Sequence, residues 1–545
     1  MPTKVTPRVP RGMRDILPEQ MVRRLYVIDV IRGVFEEFGF EPLETPAIEL
    51  GETLSGKYGS EAERLIYSAG YANREENLML RYDLSVPLSR VVAMYPQLPR
   101  PFKRYQIAPV WRADRPQKGR YREFCQCDAD TVGSSSMLGD AETVAVIYTI
   151  LHRLGFRKFT VHINNRKILN GIGQYAGVPP GLLRGLYQSI DKLAKIGPAG
   201  VAQELLAVGL PEEIFEPIQR VARLYMQKKV TLDQVGSRLR EQAVHDPVLG
   251  KPVLIPEPIA AAVEPALREV LRGQVPGSVE PERLQEQARL LAYTVTPALR
   301  QAYGASTQLI PSEVVDRLLA LLEIRGDPPA VLSSLRRTLQ DYPEAAQGIA
   351  ELEEMVHFLA LLGVPEENTA IDVSMARGLE YYTGPIYETV VEEANIGSVT
   401  GGGRYDNLIG MFLERSIPAT GTTIGIERLI VVMEELDMFP ASIGKSTAQV
   451  LVTTFDAGLL DESIRLAVLL RQSALRTQVY FDADPLREQI GYAAGKGIPI
   501  LTVLGPDEVA RGQVTVRNLR AGQQQTVARD QAAGQNREWL GQAPA

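Results

Sequence analysis

The stretch KRYQIAPVWRADRPQKGRYREFCQCDAD, residues 103–130, decides the fold. It predicts two strands joined by a charged loop, because β-branched and aromatic residues lie at both ends and Pro116 and Gly119 mark a turn between them. Side chains alternate across a strand. A regular second strand therefore puts six polar or aromatic side chains on one face, with Arg112 close by: Arg120, Arg122, Phe124, Gln126, Asp128 and Asp130.

This mixture of side chains is unusual for a protein core and suits a ligand. Guanidinium groups bind phosphate through paired hydrogen bonds, and an aromatic ring offers a stacking plane for a base. The amide of Gln126 and the carboxyl of Asp130 suit a small polar ligand. From Lys103 to Arg122 the chain has seven basic residues against one acid, Asp114. A solvated hairpin with scattered charges is the alternative; it explains any single arginine well but the whole set poorly.

The same stretch resembles motif 2 of class II aminoacyl-tRNA synthetases, in the form found in histidyl-tRNA synthetases. The resemblance implies that Arg112 holds the α-phosphate of ATP and borders the histidine site. It also implies that Arg120 and Phe124 belong to the ATP site, with the Phe ring on adenine, and that Gln126 and Asp130 line the histidine pocket. Bacterial members often have Glu at the last position, whereas Asp is typical of the eukaryote-like branch.

Composition sets broad limits on the chain. Its 545 residues predict two to four domains, and 45% hydrophobic with 23% charged residues is ordinary for a globular protein. The formal net charge of −7 counts mildly against a nucleic-acid partner. Binding follows the local charged patch rather than the sum, so an RNA partner stays open.

Cys125 and Cys127 are the two cysteines, and the four histidines are scattered elsewhere in the chain. This set has no zinc-ligand spacing, so we expect no zinc and interpret both cysteines as buried strand residues in a reducing compartment. The N-terminus lacks the form of a signal peptide, and no apolar run is long enough to span a membrane. We therefore expect a cytoplasmic protein with no membrane partner.

The N-terminal region predicts a helix over residues 19–38, because Leu25, Ile28 and Ile31 recur at helical spacing and Gly39 ends it. A strand interrupted by prolines follows. Helix and strand resemble motif 1, which forms the dimer interface of class II synthetases and implies a homodimer. An amphipathic helix packed on its own core would show the same periodicity.

The segment LMLRYDLSVPLSR continues the resemblance. Asp83 and Ser85 fall where the family has two contacts to histidine, and Asp83-Leu84-Ser85 is closer to the Asp-Leu-Thr of eukaryote-like members than to the Glu-Gly-Thr of bacterial ones. An Asp before a Pro-containing turn is otherwise usually a helix cap. Two carboxylates, Asp83 and Asp130, suit a ligand with an ammonium group and an imidazole N–H.

Residues from about 168 to 365 change in character. They are rich in Leu, Ala, Glu and Arg and mostly helical in pattern, and their start resembles the insertion of eukaryote-like histidyl-tRNA synthetases. Residues 222–342 have no recognisable counterpart, and their prolines predict several short helices. Their role stays open between a binding module and a spacer.

The segment ARGLEYYTGPIYETVV resembles a signature of histidyl-tRNA synthetases. The resemblance implies that Arg377 contacts both the substrate carboxylate and the α-phosphate, and that Tyr381 and Tyr382 line the histidine pocket. Without the resemblance, a Tyr pair is more often part of a core and one Arg more often on the surface.

Two further segments complete the predicted site. In GSVTGGGRYDNLIGMF, Gly401–Gly403 allow a ligand to approach the backbone closely, and Tyr405 adds a pocket contact. ATGTTIGIERLIVVMEEL predicts a strand leading into a helix and resembles motif 3, which implies that Arg428 binds the γ-phosphate end of ATP. Glu427 and Arg428 at a helix start are otherwise simple surface charges.

A domain boundary is predicted within residues 437–447, DMFPASIGKST. Beyond it, strand and helix patterns alternate and predict a small α/β unit with a largely parallel sheet. This unit resembles the anticodon-binding domain of the histidyl subgroup. We expect the polar tail from about Arg529 to fray.

Together these segments predict an α+β catalytic domain with an antiparallel sheet, a mainly helical insertion and a C-terminal α/β anticodon-binding domain. The two parts of the catalytic domain are expected at residues 1–167 and 366–437, the insertion at 168–365 and the anticodon-binding domain at 448–545.

The resemblance implies that histidine and ATP give histidyl-adenylate and pyrophosphate, and that tRNA(His) then takes the histidyl group. Arg112 and Arg377 are the expected catalytic residues. ATP is expected with Mg²⁺, for which the sequence shows no ligand cluster, and no organic cofactor is expected. One alternative is a non-catalytic, histidine-sensing paralogue of the kind that regulates ATP phosphoribosyltransferase. Another is a different class II synthetase, which would share the three motifs but not RGLEYYTG.

Overall fold

The computed structural model describes residues 6–56, 63–71, 74–210, 214–246, 251–281, 283–303, 309–378, 381–394 and 396–541. Leu379 and Glu380 of the RGLEYYTG signature lie outside these ranges. The strands are β1 Glu41–Pro42, β2 Ile48–Leu50, β3 Ser68–Tyr71, β4 Arg74–Leu80, β5 Phe102–Trp111, β6 Glu123–Val132, β7 Phe159–Asn165, β8 Ala243–Asp246, β9 Lys251–Leu254, β10 Thr369–Ile371, β11 Pro385–Val391, β12 Thr400–Arg404, β13 Ala419–Ile424, β14 Val450–Val452, β15 Thr477–Val479, β16 Ile500–Val503, β17 Gln513–Asn518 and β18 Gln523–Ala528.

The α-helices alternate with these strands at both ends of the chain and dominate its middle. They are Pro18–Glu37, Gly51–Leu54, Ser85–Met94, Met137–Arg153, Arg166–Tyr175, Leu183–Ile190, Leu193–Ala207, Phe215–Met226, Val235–Arg240, Glu257–Arg272, Leu284–Thr294, Thr296–Tyr303, Ser312–Leu322, Pro328–Leu339, Pro343–Leu361, Gly410–Leu413, Ile426–Glu435, Leu460–Gln472, Leu486–Lys496, Pro506–Ala510 and Ala532–Trp539. Within the described residues, no helix combines the length and the apolar character needed to cross a bilayer.

A central sheet organises the catalytic part of the chain. Among the described residues its eight strands lie in the order β1-β5-β6-β13-β12-β11-β7-β10. The six inner strands pair antiparallel, and β1 and β10 run parallel to their neighbours β5 and β7 at the two edges. The predicted antiparallel sheet is confirmed.

Strands β5 and β6 form the hairpin that the motif 2 stretch predicts. They pair from Phe102 opposite Val132 to Trp111 opposite Glu123. Because β6 begins at Glu123, Arg120 and Arg122 lie in the connection and not on the strand. The prediction that Arg122 shares the face of Phe124 is wrong: its Nε donates to the backbone oxygen of Asp114 at 3.0 Å, and its backbone N–H donates to Gly12 O at 2.8 Å.

The predicted N-terminal helix, Pro18–Glu37, packs on one face of this sheet. Val27, Ile31 and Phe35 are fully buried there, and each such side chain contributes about 1.5–3 kcal/mol of hydrophobic stabilisation. Cys127 lies in the same core, as predicted, whereas Cys125 is only half-buried because it borders the cavity described below.

Two hydrophobic cores divide the helical insertion. Its first and last helices join the core of the central sheet, while residues 207–303, the outer insertion, form a separate core. The guanidinium of Arg300 joins the two ends of the outer insertion, since it donates to Leu206 O at 2.7 Å and to Ile310 O at 2.9 Å. The short β8–β9 hairpin is an exception to an otherwise helical unit.

The C-terminal sheet has the order β15-β14-β16-β17-β18 within the described residues. Its first three strands run parallel and the last two antiparallel, so the predicted parallel sheet holds for the part built from β-α-β units. The prediction of a frayed tail is wrong, because the helix Ala532–Trp539 buries Ala532, Ala533 and Asn536 against this domain.

Candidate active site

A cavity of about 650 Å³ lies on the sheet between β6, β12 and β13. Its lining includes all twelve side chains that the sequence predicts for the site, which are Asp83, Ser85, Arg112, Arg120, Phe124, Gln126, Asp130, Arg377, Tyr381, Tyr382, Tyr405 and Arg428. These residues come from segments up to 345 positions apart (83 to 428), and the antiparallel sheet brings them together. Their individual roles remain predictions.

Strand alternation explains the row of side chains along β6. Phe124, Gln126, Asp128 and Asp130 all face the cavity, as the regular strand predicts. Gly421 lies opposite Asp130 in the ladder, and a Cβ there would collide with the Asp130 carboxyl. A glycine in β13 therefore makes room for the carboxyl group on β6.

Arginines dominate one end of the cavity. The Nε of Arg112 donates to Tyr82 O at 3.0 Å, and its guanidinium lies 4.3 Å from the ring centre of Tyr82 and 5.2 Å from that of Phe124. Two aromatic faces and a carbonyl thus hold Arg112 in a fixed orientation.

Arg377, on the signature segment, lines the same cavity. Its Nη1 lies 2.6 Å from Glu388 Oε1 on β11. The guanidinium packs closely against the backbone of Gly401 on β12, since a Cβ at that position would lie 2.8 Å from Arg377 Cζ. The absence of a side chain at Gly401, which the sequence predicts to admit a ligand, therefore makes room for the guanidinium of Arg377.

Arg428 completes the basic end. It donates to the backbone oxygen of Ser398, and Gly119 in the motif 2 loop lies directly over its side chain. Burial lowers the pKa of Arg428, and the neighbouring guanidiniums of Arg377 and Arg120 lower it further. Guanidinium groups that repel one another in this way favour a bound anion such as a polyphosphate.

Carboxyl groups dominate the other end. Asp130 Oδ2 lies 2.9 Å from Arg104 Nη2, and the Tyr405 hydroxyl donates to Asp130 Oδ1. Burial raises the pKa of Asp130, and the charge of Arg104 opposes that rise. Gln126 donates from its amide to the Thr423 hydroxyl at 3.1 Å.

Tyr381 and Tyr382 form one side of this pocket. Their ring centres are 4.3 Å apart and their hydroxyls 3.1 Å apart. Burial raises the pKa of both phenols, which keeps them neutral. Gly378 has a φ of +64°, and a Cβ there would collide with the Tyr382 ring, so glycine is required for both the backbone and the packing.

Asp83 lies both at the start of a helix and at the edge of the cavity. Its Oδ1 accepts the backbone N–H of Val86 at 3.1 Å, in the first turn of the helix Ser85–Met94, whose N-cap position is Leu84. The same carboxyl also lines the cavity. A hydrogen bond at the helix start and a position on the cavity wall, the locations that the two interpretations of the sequence require, are therefore compatible.

Glu427 is not the surface charge that a helix start allows. It is buried and pairs with Arg14 at 2.6 Å and Arg24 at 2.9 Å. Arg14 also donates to the Tyr121 hydroxyl at 2.9 Å. These contacts tie the N-terminal segment and the first helix to the motif 2 and motif 3 sides of the cavity.

Several further side chains line the cavity without having been assigned to the site from the sequence, among them Tyr82, Asp128, Glu388 and Thr423. Alternation along β6 already places Asp128 on the cavity face. Glu388 and Thr423 depend on strand pairings between distant segments, which periodicity does not reveal.

Cavity, sheet and separate C-terminal unit define the class of protein. An antiparallel sheet with an arginine-lined cavity, joined to an α/β domain, is the architecture of a class II aminoacyl-tRNA synthetase. The chain matches the family sequence model described as Histidyl-tRNA synthetase over residues 12–247 and 275–429, and the model described as Anticodon binding domain over 449–539. It belongs to the histidyl-tRNA synthetase family.

Relatives cover nearly the full chain. It is 36% identical to the histidine–tRNA ligase of Gloeobacter violaceus, over 95% of both chains. It is 35% identical to that of Aeropyrum pernix, over 96% of this chain and 95% of the relative. The crystal structure of histidyl-tRNA synthetase from Nostoc sp. PCC 7120 superposes with a TM-score of 0.71 at 27% identity, covering 98% of this chain and 100% of that one. Within the region 222–342, for which the sequence alone shows no counterpart, the family model matches all but residues 248–274.

Proposed function

We propose that this chain is a histidine–tRNA ligase, which activates histidine with ATP and transfers the histidyl group to tRNA(His). One observation carries the proposal: Arg112, Arg377 and Arg428 meet in a cavity whose other end holds Asp83, Asp130 and a Tyr pair. A basic end suits a polyphosphate, and an acidic, aromatic end suits a cationic amino acid with a ring.

In the first step the histidine carboxylate attacks the α-phosphate of ATP. Both groups are negative and repel each other. Arg112 and Arg377 are proposed to lie against both, so that the two groups are held together and the charge that develops on the phosphate oxygens is stabilised. Arg428 is proposed to bind the γ-phosphate, the end that leaves as pyrophosphate. No protein nucleophile is required, since positioning and charge stabilisation are sufficient.

The histidine pocket is proposed to lie at the acidic end. Asp83 and Ser85 would bind the ammonium group, while Gln126, Asp130 and Tyr405 face the imidazole and Tyr381 and Tyr382 enclose the ring. At the opposite end Phe124 would stack on adenine, next to Arg120.

Magnesium fits this site as a companion of the ATP phosphates. Among the described residues there is no group of three or more His, Cys, Asp or Glu side chains that could hold a metal alone. Mg²⁺ bound to nucleotides usually needs only one or two carboxylates besides the phosphates. Asp114 and Glu388 line the basic end and would supply them. The ion would neutralise phosphate charge.

A homodimer is proposed on an exposed apolar patch in the region that resembles motif 1. Ile48 and Leu50 on β2 are exposed, as are Met94 and Tyr95 at the end of the neighbouring helix. Arg90 joins the two elements, since it pairs with Glu49 at 2.6 Å and contacts Met94. Exposed apolar side chains grouped in this way are typical of a protein interface.

Transfer to tRNA is proposed to use the exposed residues Arg115, Gln117 and Lys118 of the motif 2 loop and the C-terminal domain. The proposed units are 1–167 and 366–437 for the catalytic domain, 168–365 for the insertion and 448–545 for the anticodon-binding domain. We place the chain in the eukaryote-like branch on Asp83-Leu84-Ser85 and Asp130, although the relatives named above are bacterial and archaeal. A cytoplasmic location follows from this role.

ATP–pyrophosphate exchange with each of the twenty amino acids tests the proposal. Exchange that depends on histidine, followed by charging of tRNA(His), is the expected result. A histidine-sensing paralogue would bind histidine without exchange, and a different class II synthetase would exchange with another amino acid. Either outcome would overturn the proposal.

A further inference from the structure

Two buried carboxyl groups share one buried guanidinium beneath the histidine pocket. Asp128 and Asp130 lie on β6, and Arg104 lies opposite Asp130 on β5. Their exposed fractions are 3%, 2% and 0%. Buried charges are stable when they are paired. One positive group cannot neutralise two negative ones, so this cluster has an unbalanced carboxyl group.

The partners show which carboxyl is unbalanced. Asp130 faces Arg104 with one oxygen and accepts the Tyr405 hydroxyl with the other. Asp128 interacts with the Thr423 hydroxyl, but within the described part of the chain its Oδ1 has no hydrogen-bond partner. A buried acceptor of this kind is costly unless a ligand satisfies it.

The charged groups around Asp128 also indicate that it is the unbalanced carboxyl. Burial raises the pKa of Asp128 to about 7; the charge of Arg104 lowers it, and Asp130 and Asp83 raise it. Tyr382, on the signature segment, is close enough to interact electrostatically with this carboxyl. The Asp128 carboxyl therefore titrates near neutral pH. A hydrogen-bond donor from a ligand in the cavity would favour its ionised form.

We propose that Asp128 accepts a hydrogen bond from a ring N–H of bound histidine, and that it is a second specificity-determining carboxyl besides Asp130. This inference rests on the proposed function. Asp130 is oriented by its ion pair with Arg104 and by Tyr405, whereas among the described residues Asp128 has no ion pair and its buried Oδ1 has no hydrogen-bond donor. A ligand without a ring N–H would leave that acceptor unpaired, which is a strong ground for rejection.

The test is the variant Asp128→Asn, which keeps the shape and removes the charge. The KM for histidine in pyrophosphate exchange is expected to rise roughly 10- to 100-fold, the range for a lost hydrogen bond to a charged acceptor, while the KM for ATP stays within about twofold. An unchanged histidine KM in the folded variant would overturn the proposal.

Thermal unfolding supplies a second measurement. The folded pKa of Asp128 is above its unfolded value, so its favourable contribution is complete below about pH 4 and is lost as the pH rises through about 7. Asp128→Asn should therefore melt at the same or a higher temperature than the wild type at pH 8, and the difference should grow from pH 5 to pH 8. A variant that melts lower at pH 8 and has a raised KM for both substrates would show that Asp128 is structural, and would overturn the proposal.

Asp130→Asn is the matched comparison, because it removes a carboxyl that already has protein partners. Arg104 and Tyr405 contact that carboxyl, so both substitutions remove a charge from the pocket, but only Asp128→Asn removes a carboxyl that no ion pair among the described residues holds. The proposed function has its own readout in the wild type: exchange with an amino acid other than histidine would reject that function, whereas histidine exchange with an unaffected Asp128→Asn would reject only the role of Asp128.

Discussion

The central sheet and the outer insertion differ in what they bury. The sheet encloses ionisable side chains at its centre, among them Arg104, Asp128 and Asp130. The outer insertion buries mainly apolar side chains, and among its described residues Thr296 and Tyr225 are the buried side chains that carry a polar group. Buried charge lowers stability unless it is paired, whereas apolar burial raises it. The difference indicates that the sheet is built for chemistry at a cost in stability, and the outer insertion for a stable shape.

The largest expected effect is that of Arg377→Ala. Removing this guanidinium should lower the rate of pyrophosphate exchange by on the order of 10²-fold or more, because charge that develops on the α-phosphate loses its stabilising partner. Arg377→Lys should recover only part of the rate, since lysine retains the charge without the planar fork. Single-turnover transfer from preformed histidyl-adenylate to tRNA should fall less, since the attack on phosphate is already complete.

Arg336→Ala is the control for that substitution. Arg336 also pairs with a glutamate, Glu353, but both side chains are exposed and neither lines the cavity. Exposed pairs contribute little, so this variant should exchange pyrophosphate like the wild type. A folded Arg377→Ala variant with near wild-type exchange would show that Arg377 is a structural or surface residue.

Removal of residues 448–545 should separate the two half-reactions. The described lining of the cavity ends at Arg428, and the C-terminal domain has cores of its own. Exchange should therefore persist, while charging at limiting tRNA should fall roughly tenfold or more, because a linked second binding module is lost. Charging that is undiminished would contradict the assignment of this domain to tRNA binding.

Much of the site can be predicted from the sequence because strand alternation is local. The row Phe124, Gln126, Asp128 and Asp130 follows from a period of two, once β6 is recognised. The start of β6 at Glu123 cannot be predicted in this way. It depends on the pairing of Gln117 with Arg120 inside the loop and on the hydrogen bond between the loop and the N-terminal segment. That pairing leaves Arg122 outside the predicted face.

The division of the insertion could not be predicted from periodicity. Helices of both cores carry the same apolar spacing, and only long-range packing decides which core a helix joins. Residues from Ile310 to Leu339 read like the outer insertion but belong to the core of the sheet. The pairing of Arg377 with Glu388 is hidden for a similar reason, since it depends on β11 placing Glu388 opposite Gly401 on β12.

A smaller effect, on stability and not on activity, is expected at Asp372, a charged residue of the sheet region that does not line the described cavity. Asp372, just after β10, lies 3.2 Å from His162 on β7 and accepts the Ser374 hydroxyl at 2.6 Å. Burial raises the pKa of Asp372, but the contact with His162 and the hydrogen bonds from Ser374 outweigh it and lower the pKa to about 2. A lowered folded pKa gives stability that is present above about pH 4 and lost as the pH falls through 2.

Asp372→Asn should therefore lower the free energy of unfolding at pH 7 by about 1–2 kcal/mol, with the difference from wild type shrinking toward pH 2. Denaturant unfolding at pH 7 and pH 3 measures it. Exchange activity should be unchanged, because Asp372 is not among the residues that line the described cavity. A difference that stays constant with pH would mean that charge is not the cause.

The smallest effect on exchange is expected from the outer insertion. Replacing residues 211–306 by a short flexible linker should leave pyrophosphate exchange within about threefold of wild type, because this unit has its own core and the chain on either side is close enough for one Arg300 side chain to reach both Leu206 and Ile310. None of the described cavity residues comes from it. Charging of tRNA distinguishes a binding module, whose removal lowers it, from a spacer.

A second deletion makes this test sharp. Removing residues 222–342 would also take Val314, Leu318, Val331 and Leu335 out of the core of the sheet, where all four are buried. Each large apolar side chain lost from a core costs about 2–5 kcal/mol, so this variant should not fold, although it removes no cavity residue. If both deletions fold and exchange equally well, the core of the sheet does not need the helices between Ile310 and Leu339. The division into two cores, and with it the contrast between sheet and outer insertion, then fails. If the 211–306 replacement folds but does not exchange, the outer insertion shapes the cavity from a distance.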